Sequence, residues 1–495
     1  MEATALFWLM VAPALTGCVL ALMADAFGSR ESHASSAIAA ALLGAAGLAG
    51  VVGGATTAPT PVYETFSVGG AQSTVSGLIL ALTGAAVASL LGSKVAWRGR
   101  VTVLAALAAT AGVLAASSTD LVLTFLALET VSVCAYALVG ASRSRASSES
   151  ALKYFVQGAV ATAVLVMGIG VLSAVTRGDA AYSSLSKTVL IAGVTIPIVA
   201  GFALVFVGLA FKVGLAPFHT WAPDAYQCAP APAAGVLAGP AKLAAGSALA
   251  IFFFSAVPAS EAVFESGSAM GDLLPILGVI AALSMVWGSL GALGQGSYTR
   301  MLGYAAIAQA GYALVAVVSL NPGAAIMQLS LYALGSVAAF VGAFAVTSVR
   351  PEWDGSIAGL KGVARAHPLL GASIALAMVS LVGIPPLAGF WGKFQVFGAA
   401  VSASSALGAR GLDVASWCYA GLVVVGIASS VVSVAYYGAV VRALYSGEGE
   451  SSDAADSGGL TVPIVVTCVL AGALLVIGWV PFLLGLEAPL RLFAL

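Results

Sequence analysis

Long apolar stretches separated by short polar connections run through the whole sequence. Fourteen of them reach the length of about 20 residues that a helix needs to cross the hydrocarbon core of a bilayer. We number these predicted transmembrane helices TM1 to TM14, and the pattern predicts an all-α polytopic membrane protein. Their bounds are 4–24, 35–55, 75–93, 100–118, 121–141, 153–175, 190–213, 232–257, 273–294, 301–319, 323–348, 368–402, 414–441 and 460–484.

Two apolar stretches are longer than one crossing requires, and each is interrupted. Residues 188–222 contain KVGLAPF, and residues 368–402 contain GIPPLAGFWGK. Proline removes a backbone donor, so the freed groups must line a polar cavity or be buried in protein. TM7 and TM12 are therefore predicted to be broken helices. They lie five helices apart and run in opposite directions, as expected for an inverted repeat of TM4–TM8 and TM9–TM13.

This repeat divides the chain into four predicted parts. Residues 1–99 form TM1–TM3, residues 100–258 form the first five-helix repeat, residues 272–445 form the second, inverted repeat, and residues 460–495 carry the C-terminal transmembrane helix. Because the N-terminus lacks the positive segment of a cleaved signal peptide, TM1 is expected to be retained.

Composition agrees with a membrane protein. The chain is 60% hydrophobic and 8% charged, against about 25% charged residues in an average soluble domain. The net charge of −1 gives no indication of nucleic-acid binding. The five cysteines are scattered without a CxxC pair, so we interpret them as apolar fillers rather than disulfides or metal ligands.

Basic residues in the connections predict the orientation. Connections after odd-numbered helices hold eleven of them, whereas those after even-numbered helices hold three, and the C-terminal tail adds Arg491. By the positive-inside rule the odd connections are cytoplasmic, which leaves both termini outside the membrane. The eleven are Arg30, Lys94, Arg98, Arg100, Arg143, Arg145, Arg300, Arg350, Lys361, Arg365 and Arg442. The acidic, Gly/Ser-rich segment 446–459 would also be cytoplasmic, as a solvated linker.

Charged residues inside the apolar stretches are the candidate functional residues. An ammonium at the centre of a bilayer costs roughly 2.5–3.5 kcal/mol, so each one needs a reason. Glu129 lies in the middle of TM5, and its expected partner is Lys212 at the break of TM7. The two could form a structural ion pair or a proton-transfer pair. Lys212 is buried if TM7 begins near Ile196 and interfacial if it begins earlier.

Three further lysines and a histidine extend this set. Lys242 follows Pro240 in TM8, Lys393 lies beyond the break of TM12, and Lys153 begins TM6, where it could instead extend to the headgroups. Burial favours a neutral amine and a nearby carboxylate favours an ammonium, so a lysine can exchange protons where an arginine cannot. His219 either hydrogen-bonds unwound backbone or links Lys212 with Lys242.

Other polar residues near these positions have simpler interpretations. Asp224 is expected to cap TM8 or the connection before it. Tyr304, Gln309 and Tyr312 in TM10 could hold a chain of waters, or they could make ordinary hydrogen bonds between helices.

Four long motifs carry a family resemblance: ALKYFVQGA, FKVGLAPFHTWAPDAYQCAPAP, RMLGYAAIAQAGY and GIPPLAGFWGKF. They resemble the antiporter-like membrane subunits of respiratory complex I, most of all the subunit N type, over about residues 100–445. Relatives of the M and cation/proton antiporter types have a glutamate where this chain has Lys393, and the L type has a long C-terminal helix. Two departures stand out, since Gln309 replaces a family histidine and YQCAP replaces YEGAP.

The resemblance implies roles and partners. Glu129 and Lys212 correspond to the first half-channel pair, Lys242 to the central lysine, Lys393 to the output lysine and Lys153 to the TM6 lysine of the N type. The implied function is proton translocation within NADH:quinone oxidoreductase of a bacterial cell membrane. The chain itself should bind no cofactor, whereas NADH, FMN, iron–sulfur clusters and quinone belong to partner subunits. The expected neighbours are another antiporter-like subunit and the small membrane subunits.

Two other functions remain as alternatives at this point. One is an Mrp-like cation/proton antiporter subunit, which Lys393 disfavours. The other is a structural spacer, in which Glu129 and Lys212 only hold two helices together.

Overall fold

Apolar helices make up nearly all of the computed structural model, which describes residues 2–27, 33–63, 65–193, 195–256, 269–447 and 461–484. Within this described part, thirteen helices are long and apolar enough to cross a membrane. The fourteenth predicted crossing, TM12, is divided between two helices, which is why length and composition alone do not detect it. The predicted all-α polytopic fold is confirmed.

The N-terminal part contains three helices and one hairpin. The helices are α1 (Ala3–Phe27), α2 (Ala34–Thr56) and α3 (Gly70–Ala88). Between α2 and α3, strand β1 (Thr60–Val62) pairs antiparallel with β2 (Phe66–Val68). The sequence prediction missed this hairpin, because three-residue strands leave too short a pattern to recognise.

Glycines bring α2 and α3 into backbone contact. A Cβ added at Gly77 would lie 2.5 Å from the backbone nitrogen of Val51 and 2.6 Å from the carbonyl oxygen of Gly47. Small residues let helices approach closely in a membrane, where dispersion contacts hold them together. This contact fixes α3, which in turn packs against the first repeat.

The first repeat follows the predicted order but contains three additional short helices. TM4, TM5 and TM6 are α4, α5 and α6, TM7 is α8 with α9, and TM8 is α10 with α11. The bounds are α4 (Arg98–Ser117), α5 (Leu121–Val139), α6 (Arg145–Val175), α7 (Tyr182–Ala192), α8 (Ile196–Val213), α9 (Trp221–Cys228), α10 (Ala231–Val236) and α11 (Lys242–Ala256). A π-helical turn, Leu237–Ala241, joins α10 to α11.

The predicted single apolar run over residues 188–222 is wrong at its beginning. Helix α7 ends at Ala192, and α8 begins at Ile196 after Gly193, which adopts a positive φ of 70°. The periodicity of apolar residues continues across this turn, so the pattern did not reveal it. Of the two starting points considered for TM7, the start at Ile196 is the one that buries Lys212.

The second repeat and the last helix complete the bundle. TM9, TM10 and TM11 are α12, α13 and α14, TM12 is α16 with α17, TM13 is α18 and TM14 is α19. The bounds are α12 (Ala269–Leu293), α13 (Tyr298–Val318), α14 (Pro322–Val349), α15 (Val363–Ala366), α16 (Pro368–Val382), α17 (Ala388–Ala409), α18 (Asp413–Tyr445) and α19 (Val462–Leu484). Helix α14 is the most enclosed, since its apolar window is entirely buried.

The two broken helices end in the same way. Helix α8 stops at Gly214 and α16 stops at Gly383, and both glycines are left-handed, with φ and ψ of 81° and 41° and of 88° and 43°. Glycine adopts this conformation without a side-chain clash, which makes it the usual residue after the last turn of a helix. The pairing of TM7 with TM12 in the inverted repeat therefore has a structural counterpart.

The connections before α5 and before α13 also correspond between the two repeats. An antiparallel bridge joins Asp120, before α5, to Ala181, before α7, and a second joins Ser297, before α13, to Ser356. Asp120 and Ser297 are also the N-caps of α5 and α13, where their side chains accept backbone hydrogen bonds. The exact four-part division of the chain stays a prediction. Most of segment 446–459, Arg30 and Arg491 lie outside the described residues.

Replacing Gly77 with valine should separate α2 from α3. We expect Gly77→Val to lower the free energy of unfolding by about 1–3 kcal/mol, because the added side chain meets backbone atoms that cannot move aside. The measurement is unfolding of the detergent-solubilised protein in mixed micelles. Gly44→Val is the matched control on α2, since nothing lies within 4 Å of a Cβ added there. Equal effects of the two substitutions would contradict the proposed packing.

Candidate functional site

Lys212 and Glu129 form an ion pair inside the helix bundle. Lys212 lies one residue before the end of α8, and its Nζ is 2.6 Å from Oε1 of Glu129, at the middle of α5. The side chains are 6% and 23% exposed. Lys212 also donates to Oγ of Ser132 at 2.7 Å, and Thr162 donates to Glu129 at 2.8 Å. The pair predicted from sequence is thus brought together, with two hydroxyls that the sequence analysis did not identify.

Aromatic residues hold the break of TM7 beside this pair. The indole of Trp221, the first residue of α9, donates to the carbonyl of Phe211 at 3.0 Å. Tyr154 of α6 stacks on the Trp221 ring, with centroids 4.1 Å apart and planes 8° from parallel. Since both contacts are buried, they fix where α8 stops and where Lys212 lies.

Lys242 is the most deeply buried of the described lysines and arginines. It is 2% exposed and begins α11, directly after the π-helical turn. Its Nζ donates to the carbonyl of Ala306 on α13 at 2.9 Å and lies 6.0 and 5.5 Å from the ring centroids of Tyr226 and Tyr332. Among the described residues no carboxylate lies within 4.0 Å of this nitrogen. The amine is therefore held by a carbonyl dipole and two aromatic faces.

A small cavity joins Lys212 to Lys242. Its volume is about 20 Å³, which exceeds the roughly 10–15 Å³ that one water molecule needs. Ser132, Tyr154 and Trp221 contribute to its wall together with both lysines. Lys242 also approaches the end of α8 itself, because a Cβ added at Gly214 would lie 3.8 Å from its Nζ.

Lys393 is buried in the second repeat. It is 4% exposed and lies in α17, just beyond the break of TM12. Its Nζ donates to the carbonyl of Val382, the last residue of α16, and to Oγ of Ser430 on α18, both at 2.7 Å. The ring centroid of Tyr312 lies 4.6 Å away. The break thus supplies an acceptor for the amine, because the carbonyls at a helix end have no intrahelical partner.

Two glutamines and a second cavity lie between Lys242 and Lys393. Gln328 of α14 donates to Gln309 of α13 at 2.8 Å, and Gln309 donates to the carbonyl of Leu381 at 3.0 Å. The cavity, of about 10 Å³, is lined by both glutamines together with Tyr332, Ser380 and three apolar or glycine residues. Gln309 thus makes interhelical hydrogen bonds at the position where the family resemblance suggests a histidine.

Lys153 is placed differently from the other lysines. Its side chain is 53% exposed on α6, and its Nζ is 2.7 Å from Oε1 of Glu149, one helical turn earlier. The structure brings it into contact with none of the buried lysines. Its position agrees with the alternative of an amine near the membrane surface.

His219 and Asp224 lie apart from the buried lysines. His219 is 7% exposed and packs edge-on against Trp287 of α12, with centroids 5.7 Å apart, and it shows no contact with Lys212 or Lys242. Asp224 caps no helix and instead binds Arg300 of α13 at 2.6 Å. The capping interpretation was therefore wrong, because an arginine distant in sequence competes for the carboxylate.

Several residues of the site were absent from the sequence analysis. Ser132, Thr162, Gln328 and Ser430 are polar residues inside apolar stretches, a signal that could have identified them. The acceptor carbonyl of Ala306 leaves no trace in side-chain identity, whereas that of Val382 lies just before the GIPP segment at which the sequence predicted freed backbone groups.

Comparison with known proteins agrees with this architecture. Residues 118–411, more than half of the chain, match the family model described as NADH:quinone oxidoreductase/Mrp antiporter, TM. NADH-quinone oxidoreductase subunit N 2 of Acidobacterium capsulatum is 35% identical over 450 residues, covering 86% of each chain. Subunit N of Salinibacter ruber is 35% identical over 418 residues, covering 80% of this chain and 76% of the relative.

Solved structures give the same result. A chain of respiratory complex I from Thermus thermophilus superposes with a TM-score of 0.77 at 28% identity, covering 97% of this chain and 99% of that one. A chain of the Mrp complex from a Dietzia species gives 0.79 at 20% identity, covering 99% and 97%, and shows the fold alone.

The fold and these matches define an antiporter-like membrane subunit of the NADH:quinone oxidoreductase and Mrp antiporter family. Within it the chain belongs to subunit N of NADH-quinone oxidoreductase. It is therefore a proton-translocating, multi-pass membrane subunit, as the resemblance implied.

The buried pair should show strong energetic coupling. In a double-mutant cycle of Glu129→Gln and Lys212→Met, we expect a coupling energy of about 1–3 kcal/mol, because either single change leaves a buried polar group without its partner. The measurement is unfolding in mixed micelles. The control cycle of Glu149→Gln and Lys153→Met removes an exposed pair and should give about 0.5 kcal/mol or less. Equal coupling in both cycles would contradict this assignment.

Proposed function

We propose that this chain moves protons across the membrane along the row Lys212, Lys242 and Lys393, driven by quinone reduction in partner subunits. The observation that carries the proposal is the row itself: three buried amines, with a small cavity lined by both Lys212 and Lys242. A second cavity is lined by Tyr332, whose ring lies near Lys242, and by Leu381, which precedes the residue that accepts from Lys393. Lysine suits this task because it can exist with or without its extra proton, whereas arginine stays charged.

Glu129 controls the first step. While it contacts Lys212, the carboxylate stabilises the ammonium form, and separating the two in a low-dielectric interior favours release of the proton. The cavity shared by Lys212 and Lys242 is the route of that proton to the second amine. Each elementary charge moved against the membrane potential costs about 2.3 kcal/mol per 100 mV, which is of the order of coupling energies between sites.

Lys393 delivers the proton to the outer side. Its amine is held by a carbonyl and a hydroxyl, which accept hydrogen bonds without adding a counter-charge. A carboxylate there would bind the ammonium more strongly and slow its release. The output lysine is thus suited to losing its proton once a route opens.

Lys153 and His219 have secondary parts in this proposal. Lys153, with Glu149, lies on an exposed face of α6, where it suits contact with a neighbouring subunit. His219 is buried beside Trp287 in the connection that follows Lys212. We assign it to the proton path on the family resemblance, not on a contact with either lysine.

The redox chemistry belongs to other subunits in this proposal. We propose that the chain binds no cofactor and that NADH, FMN, iron–sulfur clusters and quinone are held by its partners. Its membrane neighbours would be another antiporter-like subunit and the small membrane subunits. The distribution of basic residues supports a bacterial cell-membrane orientation with both termini outside.

Removing the amines should uncouple redox turnover from pumping. We expect inverted membrane vesicles carrying Lys242→Met or Lys393→Met to move fewer protons per NADH oxidised than the wild type, because the row is interrupted by a side chain of similar length that cannot carry a proton. Proton uptake is followed with a pH-sensitive dye and NADH oxidation by absorbance.

The control is Lys187→Met, which removes an exposed lysine from α7. Wild-type proton stoichiometry in both Lys242→Met and Lys393→Met would overturn the proposal. An Mrp-like cation/proton antiporter, which shares the fold, would instead show sodium-dependent pH recovery in vesicles without any electron donor.

A further inference from the structure

The glutamines between Lys242 and Lys393 form a continuous, buried chain of hydrogen bonds. The side-chain nitrogen of Gln328 donates to the side-chain oxygen of Gln309, and the nitrogen of Gln309 donates to the carbonyl of Leu381. Each glutamine is 3% exposed. Burying two amides is favourable only when their groups are paired, so this arrangement fixes both side chains.

The chain ends where Lys393 is held. Leu381 and Val382 are the last two residues of α16, and their carbonyls have no partner one turn later because the helix stops at Gly383. Gln309 donates to the first carbonyl, and Lys393 donates to the second. The two donors therefore fix consecutive peptide groups of the same broken end.

Gln328 also contacts the other half of the broken helix. A Cβ added at Gly392 of α17 would lie 2.5 Å from the side-chain oxygen of Gln328. Gly392 directly precedes Lys393 in the chain. The glutamine pair thus touches α16 through Gln309 and α17 through Gln328, on both sides of the break.

The pair also borders the second cavity. Its volume of about 10 Å³ is at the lower limit for a single water molecule. Tyr332, in its wall, has its ring centroid 5.5 Å from the amine of Lys242. The cavity therefore lies on the way from Lys242 to the residues that hold Lys393.

We propose that Gln309 and Gln328 are positioning residues for the step between Lys242 and Lys393. They hold the Leu381–Val382 end so that the Lys393 amine meets its acceptor, and the proton crosses this section on water because neither amide takes up a proton. This inference rests on the proposed lysine row.

The first test compares variants by the pumping that this chain contributes. We define that contribution as the difference in protons moved per NADH between wild-type vesicles and Lys393→Met vesicles. Gln309→Leu and Gln328→Leu should each reduce it about threefold or more, the effect of one lost buried hydrogen bond. The intact complex is used throughout, and native gels with activity staining verify its assembly.

The control is Tyr419→Phe, which removes a buried hydrogen bond to the carbonyl of Val318, elsewhere on α13. Its pumping should equal the wild type. Wild-type pumping in both leucine variants, or an equal loss in Tyr419→Phe, would overturn the inference. Unchanged pumping in Lys393→Met would instead overturn the proposed function, so the two failures are distinguishable.

The second test uses Gln309→His, which keeps a donor but introduces a group that ionises near pH 6.5. At pH 8 this imidazole is neutral and can donate to the carbonyl of Leu381, and histidine is the residue that the family resemblance gives for this position. We therefore expect Gln309→His at pH 8 to keep most of the contribution that Gln309→Leu loses. A loss in Gln309→His equal to that in Gln309→Leu would contradict the inference, since it would show that a donor to Leu381 is not what matters.

Discussion

An amine or a backbone group that is removed from water and surrounded by hydrocarbon must find a partner inside the protein, and this constraint governs the structure. A continuous helix satisfies its own backbone and offers a lysine few acceptors, although the carbonyl of Ala306 within α13 accepts from Lys242. The breaks at Gly214 and Gly383 change this, because each ends a helix in the bundle interior. At the second break, Val382 gives its freed carbonyl to Lys393. At this position the helix break supplies the hydrogen-bond acceptor that the buried lysine requires.

The three buried lysines have different kinds of partners, although they belong to one row. Lys212 binds a carboxylate, Lys242 binds a carbonyl between aromatic rings, and Lys393 binds a carbonyl and a hydroxyl. The only counter-charge therefore lies at the beginning of the row, among the residues described. A proton that leaves the first pair meets two amines whose environments stabilise a charge through dipoles alone. Neither amine therefore binds the proton as strongly as it would beside a carboxylate.

The sequence allowed the fold and the main residues to be predicted because membranes restrict the choices. Length and apolarity identified the crossings, and Lys242 was conspicuous as a cation within an apolar run. The rest depended on geometry. The turn at Gly193 interrupts no hydrophobic pattern, and Asp224 binds an arginine 76 residues away. Gln328 is a polar residue within an apolar stretch, but its partner Gln309 lies on another helix. The local sequence pattern indicates whether a residue lies in a helix and is buried. Its hydrogen-bond partner depends on which helices pack together in the folded chain.

The complete enclosure of α14 has a mechanical consequence. Gln328 and Tyr332 lie one turn apart on this helix, the former beside Gln309 and the latter beside Lys242. A helix behaves as a stiff rod over one turn, so any sliding of α14 along its axis displaces both side chains by the same amount. Helices of both repeats pack around it, and lipid does not reach its apolar window. A displacement of α14 would therefore change the surroundings of Lys242 and the approach to Lys393 together.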